Sequence, residues 1–205
     1  EVVVTARRKE ESLQKVGIAI DAVSAQSLTE RGIDNATDLT KSVPAINFTQ
    51  GGSNITSVYL RGIGNNTTSS YNDPAVTPNY DGVAIGRASG VLGAAFYDIS
   101  RIEVLKGPQG ILYGRNSTGG NINIIPNRPD LQRLSAGFNG SYGNFSALDL
   151  NAYVNVPVGE RAAVRLAGSR QSHDGYYNDG TGDQDVSSLR GQFLFEASED
   201  LSIRV

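Results

Sequence analysis

The sequence predicts two parts of different structure, an α+β domain over residues 1 to about 130 and a set of long antiparallel strands over residues 131–205. Before Pro129, short β-branched runs alternate with helix-capping residues and glycine turns, which favours a small mixed sheet with short helices. After Pro129, the pattern changes to regular alternation of apolar and polar residues. The 24 glycines make up about 12% of the chain against a usual ~7%, which indicates many turns or close backbone contacts.

Start and stop signals define the elements of the α+β part. Ser27 and Glu30 have the spacing of a capping box, so we expect Glu30 to reach back to the Ser27 amide and Gly32 to end the helix. The Asp81-Gly82 pair favours a tight hairpin turn. In chain order, the predicted elements are a strand within Val16–Val23, the helix begun by Ser27, a helix over Ala36–Ser42 that Pro44 ends, and strands at Val58–Arg61, Arg101–Lys106 and Asn121–Ile125.

Runs of about 10 residues with one apolar and one polar face make up the second part, and such runs are typical of outer-membrane strands. Strands of soluble sandwiches alternate in the same way but usually have about 5 or 6 residues. The predicted runs are Leu134–Tyr142, Leu148–Val158, Ala162–Gly168, Ser188–Ala197 and a fifth from Leu201. The pattern therefore predicts the first antiparallel strands of a transmembrane β-barrel, with a secreted β-sandwich module, for example a glycan-binding adhesin, as the alternative.

The connections between these runs favour the barrel. The turns at 143–144, 159–160 and 199–200 are short, whereas 173–185 is long and polar, and barrels of this kind have short turns at one end and longer loops at the other. Five strands cannot close a barrel, because the smallest have about 8. We therefore expect further strands after Val205 and an apolar strand face in contact with outer-membrane lipid.

Composition excludes several other classes of protein. The chain has no Cys and a single His, His173, so a disulfide framework, a zinc or iron–sulfur site and a Cys/His nucleophile pair are excluded. The net charge of −3 gives no general attraction to nucleic acid. The glycine motifs lack the spacing of phosphate-binding loops. No pair of carboxylates or nucleophile with a base indicates an enzyme, and we expect no cofactor and no resident metal.

Four segments of the chain resemble motifs of one protein family. They are EVVVTA at Glu1–Ala6, LRGIG at Leu60–Gly64, YDGVAIGR at Tyr80–Arg87, and RIEVLKGPQGILYGRNSTGGNINII at Arg101–Ile125. In these segments the chain resembles the plug of TonB-dependent outer-membrane receptors, followed by the first strands of the barrel. The resemblance implies a TonB box at 1–6, a plug at 7–130, and the first five or so strands of a barrel of about 22 strands at 131–205.

The resemblance implies that the N-terminal segment binds TonB. In the family, an extended segment pairs its backbone with a sheet edge of TonB, which belongs to an inner-membrane energising complex, and β-branched residues favour the extended geometry. The residues concerned are Glu1, Val2, Val3, Val4, Thr5 and Ala6. From the residues alone, the same segment also fits an ordinary first strand of the plug.

Two arginines match positions that the family uses to lock the plug to the barrel. Arg61 and Arg101 are predicted in strands, and the resemblance implies that they bind barrel glutamates after Val205, for which the guanidinium fork is suited. The alternative is a solvated arginine at a strand end.

The resemblance also implies active uptake of a scarce nutrient, most often a ferric siderophore, with cobalamin, sugars or aromatic compounds as other options. The ligand partner is then a small-molecule metal chelate, and the candidate contact residues are Tyr71, Tyr80, Tyr176 and Tyr177. Tyr176 and Tyr177 also fit aromatic residues at a membrane interface. The acidic loop 178–185 offers oxygen ligands, so calcium binding there is an open alternative. Residues 51–57 and 64–79 are predicted outward-facing loops, because they have few apolar residues to bury.

Overall fold

A computed structural model describes residues 3–5, 9, 11–33, 35–50, 56–65, 73–85 and 96–205. The chain divides into two compact units, Glu1–Pro126 and Asn127–Val205. Among the described residues, no helix is long and apolar enough to cross a membrane. The two units confirm the predicted combination of an α+β domain with a run of long antiparallel strands.

The first unit is built on a five-stranded sheet in the order β3-β9-β10-β7-β8. Neighbouring strands are antiparallel except β10 and β7, which are parallel. The strands are β3 at Ile20–Ser24, β7 at Val76–Tyr80, β8 at Val83–Ala84, β9 at Ile99–Lys106 and β10 at Gly120–Pro126. A two-stranded sheet pairs β1 at Val3–Val4 with β2 at Glu11–Ser12.

The two faces of the five-stranded sheet differ in polarity because apolar and polar residues alternate along its strands. On one face, Ile102 lies opposite Val23 and Ile124 and belongs to the hydrophobic core. On the other face, Glu103 lies opposite Asn123. This face is nevertheless buried. Its buried polar side chains are Thr77, Asn79, Glu103, Asn121 and Asn123, and Leu105 is buried beside them.

Helix α1, at Ala25–Glu30, covers the apolar face, and its start differs from the prediction. The N-cap is Ser24, whose hydroxyl accepts a 3.3 Å hydrogen bond from the Ser27 amide. The predicted capping box is wrong because Ser27 already lies inside the helix, and Glu30 accepts a hydrogen bond from Gln26 instead. The predicted stop at Gly32 is confirmed.

A Schellman motif forms that stop. Gly32 has φ +55°, its amide donates to the Thr29 carbonyl, and the Ile33 amide donates to the Leu28 carbonyl at 2.9 Å. Two 3₁₀ helices, Leu13–Lys15 and Thr37–Lys41, complete this part of the unit, the second where an α-helix over Ala36–Ser42 was predicted.

A three-stranded sheet in the order β4-β5-β6 packs with the same core, to which Ile46, Val58 and Leu60 belong. Its strands are β4 at Ile46–Gln50, β5 at Thr56–Leu60 and β6 at Ile63–Gly64, and a short helix α2 lies at Gly110–Tyr113. A tight turn at Arg61-Gly62 joins β5 to β6.

The second unit is one antiparallel sheet whose strands follow chain order. The strands are β11 at Ser135–Tyr142, β12 at Leu148–Val158, β13 at Ala162–His173, β14 at Gln184–Ser198 and β15 at Leu201–Arg204. Their lengths of 8 to 15 residues in β11–β14 exceed those usual in a sandwich. The loop 174–183 is long, whereas β14 and β15 are joined by a two-residue turn.

The apolar and polar faces of this sheet settle the choice between barrel and sandwich strands. Phe138 and Leu189 are 73% and 83% exposed on the apolar face, whereas Asn155, Arg165 and Gln192 on the polar face are buried. A sandwich buries its apolar faces against each other, and a membrane barrel turns them outward. The fold is therefore the predicted one, an α+β unit followed by antiparallel strands of the barrel type.

Candidate functional site

The N-terminal segment is held against the first unit. Val3 and Val4 pair with Ser12 and Glu11 in an antiparallel register, and Val4 is fully buried while Val3 is 45% exposed. The β-branched side chains favour this extended backbone. Of the predicted TonB box, Glu1, Val2 and Ala6 lie outside the described residues.

Thr5 connects this segment to the central sheet through one carboxylate. Glu103 Oε1 accepts hydrogen bonds from the Thr5 amide at 2.7 Å and from the Thr5 hydroxyl at 3.2 Å. Arg101 donates from Nε to the same Oε1 at 2.8 Å and from Nη2 to Thr5 Oγ1 at 3.0 Å. Alternation in β9 places Arg101 and Glu103 on the same face. These four hydrogen bonds join the side chains of Thr5, Arg101 and Glu103 and the backbone amide of Thr5. We call these three residues the Thr5 cluster.

The Thr5 cluster continues into a row of buried amides. Asn79 donates to Asn121 at 2.7 Å, and Asn123 donates to the Tyr113 hydroxyl at 2.7 Å. Glu103 Oε2, Asn121 Nδ2 and Asn123 Oδ1 are buried and have no hydrogen-bond partner among the described residues. Buried polar atoms are normally paired, so these three atoms are exceptions in the first unit.

Arg61 lies at a turn and not in a strand as predicted. Its φ is +52° and that of Gly62 is +77°, and Asp81-Gly82 repeats the combination with +48° and +83°. Positive φ at both central positions defines a type I′ turn, which ends the strand at Leu60. The Arg61 side chain is exposed, so it is available to a partner.

The candidate ligand-contact residues lie in both units. Tyr80 packs against the hydrophobic core as the last residue of β7, and Tyr71 lies outside the described residues. In the second unit, Tyr176 stacks on His173 at 4.6 Å between ring centroids and meets Phe145 edge-on at 5.0 Å. Tyr177 is 69% exposed. Of the predicted outward loops, residues 51–55 and 66–72 lie outside the described residues. The prediction is wrong for residues 76–79, which are buried in strand β7 because they pair with β10 inside the sheet.

The side chains of the acidic loop 178–185 are not arranged as a metal site. Among the described residues, no group of three or more His, Asp or Glu side chains could hold a metal ion. Asp179 instead accepts hydrogen bonds from the side chain and the backbone of Thr181, and these hold the pKa of its carboxyl below the usual value. The loop around Asp179 is therefore organised by a local turn.

Glu103 is the residue of this site that sequence reasoning missed. Alternation along the strand places it on the face of Arg101 and by itself gives it no role. The signal was an acidic residue between Ile102 and Val104, two positions after an arginine, in a strand otherwise suited to a core. An acidic residue at a fully buried position needs a partner, and that partner is Thr5 with Arg101.

Comparison with known proteins agrees with this architecture. The family model for the TonB-dependent Receptor Plug Domain matches residues 12–121. The iron-regulated outer membrane virulence protein of Vibrio cholerae is 29% identical over 216 residues, covering 100% of this chain and 32% of that protein. The pesticin receptor of Yersinia pestis is 32% identical over 130 residues, covering 63% of this chain and 19% of the receptor.

Solved structures give the same result. The ferric yersiniabactin uptake receptor FyuA of Yersinia pestis superposes with a TM-score of 0.72 at 26% identity, covering 86% of this chain and 28% of that one. A Pseudomonas aeruginosa FpvA complex with a ferric pyoverdine superposes with a TM-score of 0.82 at 20% identity, covering 98% of this chain and 26% of that one. At this identity the similarity bears on the fold alone. The chain spans about a third or less of the length of these relatives. With the family model matched over more than half of its length, the chain belongs to the TonB-dependent receptor plug domain family.

Proposed function

We propose that this chain is the plug and the first barrel strands of a bacterial outer-membrane receptor that takes up a ferric siderophore by TonB-dependent transport. The observation that carries the proposal is a plug-family domain followed directly by a sheet with an exposed apolar face. Such a face suits outer-membrane lipid. Relatives described as an iron-regulated outer membrane protein and as a ferric yersiniabactin uptake receptor support iron as the cargo.

In this proposal, residues 1–6 are the TonB-binding segment. Val3 and Val4 already adopt the extended backbone that strand addition to TonB requires. Among the described residues, their present pairing with β2 involves two residue pairs. The segment therefore exchanges one short strand partner for another when it binds TonB. Force from the inner membrane then reaches the plug through its N terminus.

Arg61 and Arg101 serve, in the same proposal, to lock the plug to the barrel wall. The exposed Arg61 at its turn has a guanidinium that can bind a barrel carboxylate bidentately. Arg101 uses Nε and Nη2 within the Thr5 cluster, which leaves Nη1 for a barrel glutamate. Tyr71, Tyr80, Tyr176 and Tyr177 are proposed as ligand contacts, of which Tyr176 and Tyr177 are exposed.

The experiment that tests the function is energised uptake of radioactive iron by cells that express the full-length receptor. Deletion of residues 1–6 should abolish uptake of the ferric siderophore and leave its affinity for the purified receptor unchanged, because the segment contacts TonB and not the ligand. Val3→Pro should act like the deletion, since proline removes an amide donor from the strand.

Lys9→Pro is the matched control, because it places proline after residues 1–6 and before strand β2; it should retain uptake. Loss of ligand affinity equal to the loss of uptake would contradict the role of residues 1–6. Failure of every ferric siderophore in a panel, together with uptake of cobalamin, would contradict iron as the cargo.

A further inference from the structure

Among the described residues, two of the three hydrogen bonds that join Thr5 to the central sheet go to Glu103, and the third comes from Arg101. Beyond its two residue pairs with β2, the segment reaches β9 through the Thr5 amide and hydroxyl, both of which donate to Glu103 Oε1. The two residues are 98 positions apart in the chain. The segment is therefore attached to an interior strand of the plug sheet, and not only to its neighbour β2 in the sequence.

Glu103 is suited to this attachment because its carboxylate is fully buried. Oε1 takes all of its hydrogen bonds from Thr5 and Arg101, whereas Oε2 has no partner among the described residues. The hydrophobic core lies on the opposite face of β9, where Ile102 and Val104 pack. The carboxylate therefore contributes to holding Thr5 and Arg101, and the core does not require it.

Departure of the segment removes two of the three hydrogen bonds that Glu103 Oε1 accepts. Arg101 also loses its contact with Thr5 Oγ1. A buried carboxylate deprived of hydrogen-bond donors is costly, so these bonds favour the docked position of the segment.

We infer that Glu103 is a positioning residue, which holds residues 3–5 on the plug and thereby sets how often they are available to TonB. The inference rests on the proposed function only in taking Val3–Thr5 as part of the TonB-binding segment. Docking of the segment on the plug does not involve TonB and is measured without it.

Cysteine labelling at position 4 measures the docking. The chain has no cysteine and Val4 is fully buried, so Val4→Cys reacts with a maleimide only when the segment leaves the plug. In the purified full-length receptor, Glu103→Gln should raise the labelling rate about tenfold, since a hydrogen bond to a charged group is worth ~1.5 kcal/mol or more. Affinity for a purified TonB periplasmic domain should increase by a similar factor.

Asp21→Asn is the matched control. Asp21 pairs with Lys106 at 2.6 Å in the same sheet, but it lies on the other face and does not contact Thr5. The cysteine at position 4 should therefore be labelled in this variant at the same rate as in the parent receptor. Thr5→Val is the second variant and leaves the sheet intact. It removes the hydroxyl that bonds Glu103 and Arg101 and should also raise labelling.

Unchanged labelling in both Glu103→Gln and Thr5→Val would overturn the inference, as would an equal rise in Asp21→Asn, which would mean general loosening of the plug. Faster labelling without tighter TonB binding would support the anchoring by Glu103 and overturn its proposed effect on TonB. Loss of uptake in the deletion of residues 1–6 tests the function separately, so the two failures are distinguishable.

Discussion

Asn155 holds the backbone of Asp130 with both ends of its side-chain amide. Oδ1 accepts a hydrogen bond from the Asp130 amide and Nδ2 donates one to the Asp130 carbonyl, each at 2.9 Å. Nδ2 also donates to the Arg133 carbonyl at 2.7 Å. Because Asn155 is fully buried, this contact fixes the segment that precedes β11 to strand β12.

Asn155→Asp should therefore release residues 130–133. The carboxylate has the size of the amide, but it replaces the Nδ2 donor by an oxygen that faces the carbonyl oxygens of Asp130 and Arg133. A lost buried hydrogen bond costs roughly 1–3 kcal/mol. Hydrogen exchange of the Asp130 amide in the full-length receptor measures the effect. Asn139→Asp, at an exposed position in β11, is the control, and equal exchange in the two variants would contradict the role of Asn155.

Gly120 occupies a position in β10 that admits no side chain. Its φ is +141°, and a Cβ there would collide with the Leu105 carbonyl and the Leu60 side chain. Gly120→Ala should destabilise the plug by about 3 kcal/mol, because backbone cannot move aside as a flexible side chain can. Gly110→Ala has open space around it and serves as the control. Comparable exchange protection of the β10 amides in the two variants would contradict this prediction.

Arg61 is not the residue that would make its turn most stable. Its left-handed conformation costs an ordinary residue about 1 kcal/mol, and asparagine is preferred at this position of a type I′ turn. Arg61→Asn should therefore stabilise the β5–β6 hairpin by roughly 0.5 kcal/mol while weakening the proposed lock to the barrel. Denaturant unfolding of the plug and ligand-dependent uptake measure the two effects.

Asp81→Asn is the control for this trade-off, since it changes the equivalent position of the other type I′ turn. It should leave uptake unaffected. Decreased hairpin stability in Arg61→Asn, or uptake at the parent level, would argue that Arg61 has no role beyond its turn.

The two faces of the second unit should respond differently to a charge. Leu189 lies on the exposed apolar face of β14 and Ser188 on the polar face. Leu189→Arg in the full-length receptor should reduce membrane insertion, because arginine on the lipid face costs roughly 2–4 kcal/mol near the midplane. Ser188→Arg should insert normally. The amount of heat-modifiable receptor in outer-membrane fractions measures insertion, and equal amounts would contradict the assignment of the faces.

Local signals predicted much of the fold. Strand β12 begins and ends at the predicted residues Leu148 and Val158, because alternation with a period of two is a property of neighbouring residues. The capping box failed for the opposite reason. Ser24 and Ser27 are both acceptable N-caps, and the choice between them depends on where β3 leaves the sheet, which the local sequence does not specify.

The sequence by itself determined the family, the order of the two units and the face on which each strand residue lies. Motifs and alternation depend only on residues that are close together in the chain. Only the tertiary structure decided that Thr5 meets Glu103 and that Arg61 sits in a turn. A hydrogen bond between residues 98 positions apart depends on how β9 is placed in the sheet. No local pattern around Thr5 or Glu103 carries that information, because each residue alone is equally compatible with a solvated position.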